Sequence, residues 1–135
     1  MIMENELFKV RDMREKSHFA VDDVYLNGYA KVLGGYATLV YLSLCRHANF
    51  ATQRAFPSQR LIANEHNISE RQVRYEIDAL KFMNIIAIER TRRAGKWLNN
   101  EYLLLDKTLW KLPEAYSAYG SPEAYHDINQ RHTVP

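Results

Sequence analysis

The chain has 135 residues, 18 Lys and Arg against 16 Asp and Glu for a formal charge of +2, and 47% hydrophobic residues. That length fits one domain and excludes a large two-domain enzyme, since domains typically run to about 100–150 residues, and the composition excludes wholesale disorder. No stretch approaches the roughly 20 apolar residues of a membrane helix, Met1–Arg11 lacks the basic-then-apolar pattern of a secretory signal, and the single cysteine, Cys45, excludes an internal disulfide and suits a reducing cytoplasm.

Residues 1–20 are polar and charged around Leu7, Phe8 and Val10 and read as an N-terminal arm, with a short strand near Phe19–Val21. Asp22 and Asp23 then stand at the start of a helical pattern, Val24, Tyr25, Tyr29, Val32 and Leu33, which Gly34-Gly35 ends; acids in a first turn favour the helix dipole. A second helix, about Tyr36 to Asn49, carries Leu39, Val40, Leu42, Leu44 and Cys45 around most of its circumference, the mark of a buried helix. Tyr36 and Tyr41 supply the edges of its packing surface, Cys45 is a small buried hydrophobe, and Arg46 and His47 suit the C-terminal end. Asn49 to Phe56 is a connection. Pro57-Ser58-Gln59 opens a third helix with Ser58 as N-cap and Leu61, Ile62 and Ala63 as its apolar side. It ends at His66-Asn67, asparagine being one of the few residues that tolerate a left-handed turn.

Ser69 caps a fourth helix, with Gln72 three residues later in the capping-box pattern, and Val73, Ile77 and Leu80 share one face at i, i+4, i+7 spacing. Asn84 is a second left-handed stop. Ile85, Ile86 and Ile88 read as a strand, Asn99-Asn100 as a turn and Tyr102 to Leu105 as the return, giving a hairpin of about 86–92 paired with 100–106. The remainder, to Pro135, holds three of the four prolines and repeats Pro-Glu-Ala-Tyr at 113–116 and 122–125; Ser121-Pro122-Glu123 is a good helix start, with Tyr125 and Ile128 to anchor it. The organisation is an arm at 1–20, a domain at 21–110 and a tail at 111–135 that forms a short helix or a docking segment.

The small total charge is a sum of unlike parts: net +1 over residues 1–68, +3 over 69–98 and −2 over 99–135. The excess concentrates in Arg90, Arg92, Arg93 and Lys96, a cluster that includes Trp97. Two short helices joined by a tight turn and followed by a hairpin with a basic tip make a mainly α fold with a small β-hairpin wing, the winged helix-turn-helix. The turn at 66–69 must be short to fix the crossing angle. Opposite Val73, Ile77 and Leu80 the fourth helix presents Arg71, Tyr75 and Asp78, flanked by Glu70 and Arg74. An α-helix fits the major groove of B-DNA, and its first turns reach the base edges. The candidate recognition set is therefore Ser69, Glu70, Arg71, Gln72, Arg74 and Tyr75. Arg71 suits a bidentate guanine contact, Arg74 and Tyr75 a base or a phosphate, and Gln72 is also claimed by the capping box. Arg90, Arg92, Arg93 and Lys96 suit the backbone or minor groove beside it, adding salt-dependent affinity. Trp97 fits packing at the base of the wing better than stacking on bases. Ser58, Gln59 and Arg60 offer backbone contacts at the start of the third helix.

Phe56-Pro57-Ser58-Gln59, Ile62-Ala63, Ile68-Ser69, Val73, Ile77, Leu80 and Ile85-Ile86 resemble the helix-turn-helix of replication-initiator-like proteins of phages, plasmids and other bacterial mobile elements. Leu44-Cys45-Arg46-His47-Ala48-Asn49, Asn100-Glu101-Tyr102 and Leu105-Asp106-Lys107 extend the resemblance to roughly residues 20–110. It implies sequence-specific binding of double-stranded DNA in replication initiation or its control. The chain departs from that pattern in three ways. Asn67 and Asn84 stand where the family often has Gly, Glu70 where it often has a basic residue, and Phe82 where it has an exposed polar one. An outward Phe82 is a candidate interface that the arm, the tail or a second subunit must cover. The alternatives are a transcriptional repressor of the same fold and a protein-docking winged helix. The five histidines lack zinc spacing, and no phosphate loop, nucleophile elbow or H-E-x-x-H occurs. No enzyme activity, metal or cofactor is expected. The expected partner is double-stranded DNA on a bacterial nucleoid or plasmid in the cytoplasm, with no membrane; a homodimer, and replication proteins docked through the arm or tail, remain open.

Overall fold

The computed structural model describes residues 18–119. The chain enters as irregular backbone over His18–Val21 and reaches a 3-10 turn, Asp23–Leu26, capped by Asp22, whose carboxylate accepts the Val24 N–H at 3.0 Å. Phe19–Val21 therefore is not a strand: the sheet takes its edge from Arg54–Ala55 instead. The acids do start a helical turn, but not one continuous helix. Gly28 interrupts it at φ +99°, and α1 resumes over Tyr29–Leu33. A Cβ on Gly28 would stand 3.0 Å from the Pro113 side chain, so a left-handed backbone and a close approach coincide there.

Helix α2 spans Gly35–His47 and turns Ala37, Val40, Tyr41, Leu44 and Cys45 inward, while Tyr36 is exposed. Burial pushes the Cys45 thiol up to about 11, consistent with a packed hydrophobe rather than a reactive thiolate. Asn49–Phe56, expected as a plain connection, contains a strand: β1, Arg54–Ala55, joins the sheet. A two-residue strand is too short to show alternation, and its pairing is set by a partner nearly 50 residues away.

Helices α3 (Gln59–His66) and α4 (Glu70–Phe82) follow, then β2 (Ile86–Arg93) and β3 (Lys96–Leu104). The antiparallel sheet has the order β1-β3-β2, with Ile86 opposite Leu104, Ile88 opposite Tyr102 and Glu89 opposite Glu101. The turn is Ala94–Gly95, with φ +52° and +77°, and not Asn99–Asn100. Two positive-φ residues match the right-handed twist of the flanking strands, whereas the expected pairing would set Ile86 against Asp106. The fold is mainly helical with this small sheet, its edge strand β1 before the α3–α4 pair and its β2–β3 hairpin after it, as in a winged helix.

The core gathers Val40, Leu44, Ile62, Val73, Ile77, Leu80, Met83, Ile85, Ile86 and Tyr102, all at most 2% exposed. Beside it lies an aromatic cluster. Tyr25 stacks on Tyr41 with centroids 4.6 Å apart, and Trp110 stands edge-on to Tyr25, Tyr29 and Tyr41 at 5.1–6.3 Å. Trp110 Nε1 donates to the Leu105 carbonyl at 2.9 Å, and the Tyr29 hydroxyl donates to the Lys111 carbonyl at 2.7 Å. The Tyr29 hydroxyl thus ties the segment that leaves the sheet to α1, while the Trp110 indole closes a turn within that segment and keeps its ring against the tyrosines. That segment continues through 3-10 turns, Lys107–Leu109 and Pro113–Ala115, into α5, Tyr116–Tyr119. The apolar trio Leu7, Phe8 and Val10 and the helix expected at Ser121-Pro122-Glu123 lie outside the described residues. Among the described residues no helix is long and apolar enough to cross a membrane.

Candidate nucleic-acid interface

The pair α3–α4 is built from matching local signals. Ser58 sits in the extended region and accepts the Leu61 N–H at 3.0 Å; Ser69 does the same for the Gln72 N–H at 3.0 Å. Each cap satisfies one N–H that the first turn leaves without a helical partner. Both helices end alike. Asn67 adopts φ +53°, and the Ile68 N–H reaches back to the Ala63 carbonyl at 3.1 Å; Asn84 adopts φ +60°, and the Ile85 N–H reaches the Leu80 carbonyl at 3.0 Å. These are Schellman closures with asparagine in the left-handed position and an isoleucine packed beyond it. Ile68 packs against the core and Ile85 is fully buried. The chain therefore leaves α3, turns within His66–Ser69 and enters α4 at a fixed angle.

Helix α3 is also anchored to α2 by polar contacts. Ser43 Oγ lies 2.6 Å from His66 Nε2, His47 Nε2 lies 2.8 Å from Glu65 Oε2, and Arg46 lies 3.6 Å from the same carboxylate. Burial pushes the Glu65 carboxyl up, but the Ser43 hydroxyl, His47 and Arg46 more than offset it and hold it below the usual range. The apolar side of α3 is narrower than expected: Ile62 and Ala63 are buried, whereas Leu61 is 41% exposed.

On α4, Val73, Ile77 and Leu80 are buried, and Arg71, Arg74 and Glu70 are exposed on the other side. Tyr75 is 40% exposed. Ser69 is exposed as the cap, and Ser58, Gln59 and Arg60 stand at the outer start of α3, with Gln59 half-buried. The capping box forms only by half. The Gln72 side chain donates to Glu76 one turn on, not back to Ser69, because Glu76 is itself buried on the core side and needs a donor. Burial raises the Glu76 carboxyl and Gln72 partly offsets this. Glu76 was missed, although it shares the stripe of Val73, Ile77 and Leu80.

Phe82 is half-buried. Tyr119 packs on it with centroids 4.7 Å apart, and Lys111 Nζ stands 3.8 Å over its ring. Of the three covers open to it, the C-terminal segment supplies one. Burial raises the Tyr119 hydroxyl, with Asp78, Tyr116 and Tyr75 adding to the shift, so α5 lies beside the later turns of α4. Glu70, Arg71 and Arg74, nearer the start of α4, remain exposed.

In the wing, Arg90, Arg93 and Lys96 are exposed, with Arg93 paired to Lys96 across the turn. A bulge falls between Arg90 and Arg92, the kind of irregularity that increases local twist. The Arg92 and Trp97 side chains, with the Trp97 choice between packing and stacking, lie outside what is described. At the root of the wing Arg54 reaches both Glu89 (2.9 Å) and Glu101 (2.8 Å). The Arg54 hydrogen bond holds the Glu89 carboxyl below the usual range. Among the described residues no three His, Cys, Asp or Glu side chains come together as a metal site.

Residues 31–86 match the family model of a helix-turn-helix domain. They run from α1 into the start of β2 and contain α2, α3 and α4. No curated protein matches the chain. In DNA-binding helix-turn-helix domains the second helix of the pair is the one laid into the major groove, with its N-terminal residues at the base edges; α4 holds the second position in this pair.

Proposed function

We propose that this helix-turn-helix domain binds double-stranded DNA sequence-specifically through α4 and the basic wing, as an initiator-type or accessory protein of replication on a bacterial mobile element. It acts by binding, without a catalytic step. The observation that carries the DNA reading is the exposed N-terminal half of α4: Arg71 and Arg74 stand clear of the body on a capped helix whose entry angle is fixed by Asn67. The choice of replication rests on the resemblance carried by Phe56-Pro57-Ser58-Gln59, Ile68-Ser69 and Asn100-Glu101-Tyr102.

Titrating a mixed-sequence duplex by fluorescence anisotropy over a range of salt concentrations tests the DNA reading. Affinity should fall steeply with salt, with a log–log slope of about −0.9 per neutralised phosphate, and absence of binding at ~50 mM salt would refute it. Selection from random duplexes then gives the target. A palindrome with half-sites about 10–10.5 bp apart would indicate a dimer. Targets within an origin favour initiation, and targets over a promoter favour the repressor.

A further inference from the structure

The root of the wing carries an arrangement that a strand pair would ordinarily avoid. Glu89 on β2 and Glu101 on β3 are directly opposite in register on the outer face of the sheet. Like charges placed so are destabilising. Arg54 comes from the far side of β3, where it pairs with Leu103, two residues along from Glu101 on the same face. Its guanidinium crosses β3 to reach β2, a span of about two strand spacings, roughly 10 Å. Nη1 lies 2.8 Å from Glu101 Oε1 and 2.9 Å from Glu89 Oε2, and Nη2 lies 3.5 Å from Glu89 Oε1. One register step further come Arg90 and Asn100, then the bulge and the basic tip. The two carboxylates are thus the last regular pair before the surface assigned to DNA.

We propose that Arg54 is a positioning residue for DNA binding, offsetting one of the two negative charges of Glu89 and Glu101 at the root of the wing so that the tip cations meet the phosphate backbone against one net negative charge instead of two. This inference rests on the DNA reading above. Glu89 is four residues from Arg93, roughly 13 Å along the strand and about one Debye length or more at physiological salt. Unmasked carboxylates would therefore act through the field rather than by contact, and their effect must be large at low salt and fade as salt rises.

The test compares the full chain with Arg54→Met, Glu89→Gln/Glu101→Gln and the triple variant, using one mixed-sequence duplex from ~10 to ~200 mM salt. Arg54→Met should weaken binding about fivefold at ~10 mM salt and much less at ~200 mM. The double variant should bind more tightly than the parent, and the triple variant should recover at least the parent affinity. A triple variant that stays as weak as Arg54→Met at every salt concentration, with a lowered melting temperature, would reduce Arg54 to a strand staple. One that stays weak with a salt slope smaller by about one unit would make Arg54 itself a phosphate contact. Either result overturns the masking role. A double variant indistinguishable from a DNA-binding parent also overturns it, without touching the DNA reading. A parent that fails to bind removes that reading itself, and masking with it.

Discussion

Replacing Tyr119 by Ala tests whether the residues after the sheet belong to the domain. Tyr119 is 8% exposed, packs on Phe82 at 4.7 Å and stacks on Tyr116 at 5.5 Å. Burying a large apolar side chain contributes about 1.5–3 kcal/mol, and deep aromatic-to-alanine changes cost about 3–5 kcal/mol. Tyr119 stands at the edge of the core in a four-residue helix, where neighbours can close part of the space, so the lower end applies: ~2 kcal/mol. In a domain of this size that is a fall in melting temperature of about 10 °C, read by circular dichroism. Tyr119→Phe should be neutral or stabilising, since the Tyr119 hydroxyl is buried with no hydrogen-bond partner among the described residues. DNA affinity measured well below the melting transition should change less than threefold, because Arg71 and Arg74 lie at the other end of α4. A drop of under 2 °C for Tyr119→Ala would show that α5 contributes nothing to the body. A loss from Tyr119→Phe equal to that from Tyr119→Ala would place the stabilisation in the hydroxyl instead of the ring.

Arg71→Ala should cost about 1–3 kcal/mol on the selected target and relax its specificity; equal losses on target and random duplex would reassign Arg71 to the backbone. Arg93→Ala should weaken all sequences alike and reduce the salt slope by about one unit, which a sequence-dependent loss would contradict. Glu76→Gln should raise the melting temperature at neutral pH. Because the folded carboxyl is held above its usual 4.5, the native state binds the extra proton and stability falls as pH rises through the folded value. The advantage of the Gln variant should accordingly vanish below about pH 4, and a constant advantage at all pH would exclude ionisation as its cause.

The local signals proved legible because they are complete within a few residues. Ser58 and Ser69 cap, Asn67 and Asn84 turn left-handed, and Val73, Ile77 and Leu80 are buried, each set by neighbours three or four positions away. What eluded the sequence depends on distant partners. Gly28 breaks the first helix where Pro113, 85 residues on, comes within 3.0 Å of its missing Cβ. The strand at Arg54–Ala55 exists because β3 offers Tyr102 and Leu103. Asn99-Asn100 is good turn chemistry, but opposing Ile86 to Leu104 and Ile88 to Tyr102 keeps Asn100 in the strand and moves the reversal to Ala94–Gly95. Trp110 and the C-terminal cover of Phe82 likewise follow from packing that no local period encodes.

That packing explains how a net charge of +2 can accompany the DNA-binding surface proposed for α4 and the wing. The Tyr116–Tyr119 helix and Lys111 occupy the side of α4 around Phe82, and Tyr119 feels Asp78 and Tyr75, so the later turns face the protein's own tail segment. The surface proposed to meet DNA is the start of α4, with Arg71 and Arg74, together with the wing tip. Both fall within residues 69–98, the one part of the chain with a clear positive excess, +3. Among the described residues outside that segment, four basic side chains are engaged by the protein itself: Arg46 by Glu65, Arg54 by Glu89 and Glu101, Lys107 by Asp22, and Lys111 by the Phe82 ring. A compact site of this kind needs few cations. Its affinity should depend on where Arg71, Arg74, Arg90, Arg93 and Lys96 are held, more than on the total charge of the chain.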